Sequence, residues 1–131
     1  MQNDLEEFTP LSVTAALASS YGRDVRGFLP LLAIVLQGAL PDETTIERRG
    51  GVFQREKPVR KVSVALGDLT YTLEDMGRGP LAGHRVKVVR GITLKTEPLP
   101  IDLWLEGLGA TIAERAGQSE RAFFALQALV Q

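Results

Sequence analysis

Cysteine is absent from this chain of 131 residues. Disulfides, thiolate nucleophiles and cysteine-ligated zinc or iron–sulfur centres are therefore excluded, and a reducing compartment is the natural setting. Aromatic residues make up only 6 %, with a single tryptophan, Trp104. Histidine occurs once, as His84. A general base needs an orienting acid or a nucleophile to act on, and none stands at informative spacing from His84, so it reads as a half-exposed residue at the start of a strand. Long hydrophobic runs are also missing. The most apolar stretch covers residues 28 to 40, well short of the ~20 residues a membrane span requires. The polar, acidic opening Met1-Gln2-Asn3-Asp4 has no basic region ahead of an apolar core, which argues against a signal peptide and for a cytoplasmic location.

Catalytic and cofactor motifs are lacking too. Glu6-Glu7, Asp42-Glu43 and Glu74-Asp75 are adjacent pairs, and neighbours point apart on a helix or strand, so they make no acid–base pair by themselves. Gly77-Arg78-Gly79-Pro80 precedes a strand rather than a helix and lacks a third glycine; no phosphate-binding lysine loop is present. The expectation is a protein that is not an enzyme and has no cofactor and no metal.

What the chain does have is polarity of charge. Residues 48 to 95 hold eleven bases against four acids, a net +7, whereas residues 1 to 47 carry −5 and residues 96 to 131 carry −3. The overall charge of −1 conceals this. Charge asymmetry of this kind points to a binding surface.

Apolar content of 44 % is ordinary for a folded domain, and the length fits one domain over residues 1–131. Thr9-Pro10 is a helix start, with Thr as cap and Pro in the first turn; Gly22 is its expected stop. Asp24 caps a second helix running to about Ala39, with Pro30 setting its regular part to begin near Leu29. Apolar on most sides, this helix is read as buried or at a subunit interface. The period then changes to two. Thr44 to Arg48 is a short strand. Val59 to Leu66 and Leu69 to Leu73 alternate about Gly67-Asp68, a hairpin signal. His84 to Leu94 reads as one longer strand, with Val86, Val88, Ile92 and Leu94 inward, Arg85, Lys87, Val89 and Thr93 outward, and Gly91 as a bulge. Ile101, Leu105, Leu108, Ile112 and Ala116 form the stripe of a third helix, which tolerates Gly107 and Gly109 for close packing. Ser119 caps a fourth, carrying Ala122, Phe123, Leu126 and Val130. The order α-α-β-β-β-β-α-α implies an α+β fold, a four-stranded antiparallel sheet with helices packed mainly on one face.

Two surfaces follow. The connection Arg48, Arg49, Val52, Phe53, Arg55 and Lys57, continuing to Arg60 and Lys61, sets an apolar pair inside a ring of bases. The outward sheet face would add Lys61, Arg85, Lys87 and Lys95. The simpler reading is a solvated surface. Nucleic acid is the less favoured partner, because the outward positions lack aromatics for base stacking and the isoelectric point is near 5.8. A protein-interaction or adaptor module is expected, an oligomer of itself and a binder of an acidic protein surface.

Overall fold

The computed structural model describes residues 10–48 and 58–116. Helices α1 (Pro10–Arg23) and α2 (Val25–Ala39) come first. Five strands follow: β1 (Thr44–Arg48), β2 (Val59–Leu66), β3 (Leu69–Glu74), β4 (Ala82–Val89) and β5 (Ile92–Pro98). Helix α3 (Ile101–Ala116) follows the sheet. The strands form one antiparallel meander in the order β1-β2-β3-β4-β5. The fold is thus α+β as expected, with five strands instead of four and two helices before the sheet and one after it. The fourth helix expected from Ser119, with Ala122, Phe123, Leu126 and Val130, lies outside the described residues, as does Thr9.

The extra strand arises at Arg90-Gly91. Both residues have positive φ, 53° and 79°, as a two-residue type I′ turn demands. Gly91 therefore closes a hairpin rather than marking a bulge, and Val89 faces Ile92. The Gly67-Asp68 turn is where the alternation places it: Gly67 has φ 66° and Leu66 pairs with Leu69.

Asp24 caps α2, its carboxylate accepting the Gly27 amide at 2.9 Å. The helix begins at Val25, one turn before the expected start, and carries Pro30 in its interior. Pro30 is exposed, so the backbone carbonyl its ring leaves unpaired lies on the solvent side, where water can satisfy it. α1 continues one residue past Gly22.

The apolar faces meet in one cluster. Helix α2 buries Phe28, Leu29, Leu32, Ala33, Val35, Leu36 and Ala39, each large side chain contributing roughly 1.5–3 kcal/mol. They pack on β2, whose Val62 and Val64 belong to the same cluster as Leu73 of β3. Helix α3 contributes Trp104, Leu105, Leu108 and Ile112. Trp104 is fully buried, while Leu103 beside it is 49 % exposed. α1 lies mainly against α3, and the contact is close at Gly109, where a Cβ would meet the Thr14 backbone at 3.0 Å. The helices cover one face of the sheet, α2 over β1 and β2, α3 over the start of β4.

Candidate functional site

Strand register decides which charged side chains meet. Directly paired residues of antiparallel strands share a face. Tyr71 is buried and pairs with Arg85, and Leu69 pairs with Lys87. Arg85 pairs in turn with Glu97, and Lys87 with Lys95. Arg85, Lys87, Lys95 and Glu97 therefore lie on the helix-bearing side of the sheet, at the end the helices leave open. This reverses the facing expected for β4. Val86 is on the opposite side, between Thr70 and Thr96. The reason is the hairpin upstream: once Gly67-Asp68 sets β3, its ladder sets β4, and the valines follow although burial would favour them inward. At the covered end the inward position is Gly83, against which Trp104 packs.

Arg85, Lys87, Lys95 and Glu97 line an open cleft of about 400 Å³ together with Leu69. Two of the three cations, Arg85 and Lys95, share one carboxylate. Arg85 Nη2 donates to Glu97 Oε1 at 2.6 Å, and its Nε donates to the same oxygen at 3.2 Å. Lys95 Nζ is 3.6 Å from Glu97 Oε2. These hydrogen bonds, with Arg85 foremost, hold the Glu97 carboxyl below its ordinary range against a smaller opposing effect of desolvation. The Arg85 guanidinium is held further toward its charged form by Glu97 first and then by the Tyr71 hydroxyl. Lys87 has no ion pair among the described residues. It faces Lys95 across the ladder, a like-charge opposition that destabilises a sheet unless an anion intervenes.

The strand end beyond the cleft is apolar and open. Ile92 is 62 % exposed, Leu94 59 %, and the Lys95 side chain 69 %. Arg90 stands at the tip in a left-handed conformation that L residues other than Asn, Asp and Gly rarely adopt.

The other expected site residues fare differently. Arg49, Val52, Phe53, Arg55 and Lys57 lie outside the described residues. Arg60 is tied to Glu47 at 2.8 Å and to Glu74 at 3.4 Å, and Lys61 is 3.8 Å from Glu47. Arg48 has an interaction of its own. Arg60 and Lys61 are on the half of the sheet away from β5, and Arg85 and Lys87 are on the opposite side from Lys61, so the single basic face expected from alternation is split in two. Sequence reasoning missed Glu97, Leu69 and Arg90. Treating Arg90-Gly91 as a turn would have folded β5 onto β4 and brought Glu97 to Arg85.

His84 is half-buried, and its ladder neighbours are Thr72 and Pro98; neither is a carboxylate able to orient an imidazole. Among the described residues no group of three His, Asp or Glu converges as a metal would need, and no described helix is long and apolar enough to cross a membrane. No protein-family model, curated protein or solved structure matches the chain.

Proposed function

We propose that the protein is a non-enzymatic interaction module, and that it receives an acidic protein segment at the open end of the β3–β4–β5 face. The observation carrying this is the Lys87–Lys95 opposition inside a cleft whose five lining residues include three bases and one acid. A carboxylate from a partner would relieve that repulsion, and it would be steered there by the field of the uncompensated bases. Exposed Ile92 and Leu94 beside the cations supply apolar area such an interface needs at its centre. A protein partner fits better than nucleic acid. Tyr71 is buried, so it offers no base-stacking platform. A chain without cysteine suits the cytoplasm.

The test is titration of a labelled peptide of alternating Glu and Leu, alongside a labelled single-stranded oligonucleotide, at low and near-physiological salt. Peptide binding that weakens at least about tenfold on Lys87→Glu is the expected result. No peptide binding at low salt removes the reading. Oligonucleotide binding that is tighter and falls steeply with salt replaces the acidic protein with a phosphate chain.

A further inference from the structure

The last strand of the sheet is open along one edge. Among the described residues β5 pairs with β4 and with nothing beyond it. Six of its seven residues, all but Glu97, are exposed. The other edge is better covered. β1 has only five residues, α2 lies over it, and its Glu47 is held by Arg60 and Lys61. The ladder fixes which backbone groups of β5 face outward. The Leu99 amide donates to the Gly83 carbonyl at 2.9 Å, and directly opposed antiparallel residues alternate between bonded and unbonded pairs. Glu97 and Lys95 therefore bond to Arg85 and Lys87 of β4, whereas Thr96 and Pro98, opposite Val86 and His84, turn their backbone groups away from it. The Thr96 amide and carbonyl and the Pro98 carbonyl are left for a further strand.

Exposed edges are normally guarded against stray pairing by charge, proline and bulges. β5 has all three: Lys95, Pro98, and a bulge at Leu94, where Lys87 pairs with Lys95 but Val88 pairs with Thr93. The charge in this guard has one sign. The β4–β5 hairpin holds four bases, Arg85, Lys87, Arg90 and Lys95, against one acid, Glu97. Four minus one is +3, so two copies of this chain meeting edge to edge would set +3 against +3. Self-pairing is disfavoured, and an acidic strand is drawn in. Directly opposed residues of an antiparallel pair share a face. A carboxylate opposite Lys95 would stand on the helix-bearing side, beside the Lys87–Lys95 opposition, and relieve it.

We propose, resting on the reading of the neighbouring cleft as a site for acidic protein, that β5 takes up the partner's acidic segment as a sixth, antiparallel strand. The backbone of that segment bonds to Thr96 and the Pro98 carbonyl, and its carboxylate stands opposite Lys95. Main-chain bonds then supply affinity and alternate side chains supply specificity.

The experiment compares the peptide of alternating Glu and Leu with two N-methylated forms, one methylated at every leucine amide and the other at every glutamate amide. With glutamate opposite Lys95, leucine stands opposite Thr96 and its amide points at β5. Methylating the leucines should weaken binding to the full chain at least about tenfold, and methylating the glutamates should change it less than about threefold. Deuterium exchange at the Thr96 amide should slow at least about tenfold when the unmodified peptide is added. Thr96→Pro, which removes this outward donor and spares the bonds to β4, should weaken the peptide at least about fivefold. Equal binding of all three peptides, with Thr96 exchange unchanged, overturns strand addition and leaves the acidic-protein reading standing. Failure of the unmodified peptide to bind at low salt removes that reading and the strand with it. A chain that sediments as a dimer with Thr96 already protected makes the occupant a second copy and overturns the proposal. Should Thr96→Pro fail to fold, the three peptides on the unaltered chain decide by themselves.

Discussion

At the scale of single residues, the two most informative side chains are Arg90 and Glu97. Arg90 has φ 53° in a turn that Asn and Gly fill without penalty. Arg90→Asn should therefore stabilise the fold by about 1 kcal/mol, read as a higher urea midpoint at unchanged slope. A lower midpoint would mean that the guanidinium makes a compensating contact. Glu97 bears on acid stability. Its carboxyl titrates lower in the folded protein than in the unfolded chain, so the unfolded chain binds more protons and the linkage favours folding above the unfolded value, about 4.3. That contribution is lost as pH falls through the lower folded value. Glu97→Gln should be less stable than the parent near neutrality, with the gap closing in acid; urea midpoints across that window measure it. The same change leaves Arg85 and Lys95 without their carboxylate, and acidic-peptide binding should strengthen. Loss of binding instead would mean that Glu97 orients Arg85 for the partner.

At the scale of elements, two contacts set how the helices sit. Gly109 lets α3 approach α1, and a Cβ there would meet both Thr14 Oγ1 and the Thr14 backbone. Backbone cannot rotate aside as a side-chain tip can, so Gly109→Ala should destabilise by about 1–3 kcal/mol despite the better helix propensity of alanine. Thermal unfolding of this variant checks it, and unchanged stability would show that α1 shifts freely. The start of α2 depends on Asp24, whose removal in Asp24→Ala should cost about 1 kcal/mol. Elements were legible where local rules suffice. The Asp24 cap, the Gly67-Asp68 turn and the period-two runs of β2 and β3 all depend on nearest neighbours. Arg90-Gly91 was not read as a turn because arginine is an uncommon residue for a positive φ, and a fused strand from His84 to Leu94 preserved an attractive alternation of valines.

At the scale of the whole molecule, the question is where charge remains uncompensated. Net charge along the chain pointed to residues 48 to 95, but folding neutralises part of it. Arg60 and Lys61 are engaged by Glu47 and Glu74, acids of the neighbouring strands, while Lys87 and Lys95 are brought face to face. Lys87→Glu is the discriminating variant. It should raise stability by a few tenths of a kcal/mol, because a like-charge pair becomes an opposite one, while it weakens acidic-peptide binding at least about tenfold. Paired unfolding and binding measurements separate the two effects. Parallel losses in both would mark Lys87 as merely structural.

Composition and local pattern by themselves determined the class of this protein. They excluded disulfide and thiolate chemistry, located three helices, and showed that antiparallel strands lie between them. These properties depend on residue type and on periods of two and 3.6 residues, which are visible in a linear chain. Only the tertiary structure decided the candidate site. Which face Arg85 and Lys87 occupy follows from ladder register, and register is set by the preceding turn and strand. A shift of one residue moves every side chain to the other face. The alternation of β4 fitted either facing; the ladder to β3 selected the one that places its cations beside Glu97 and its valines among threonines.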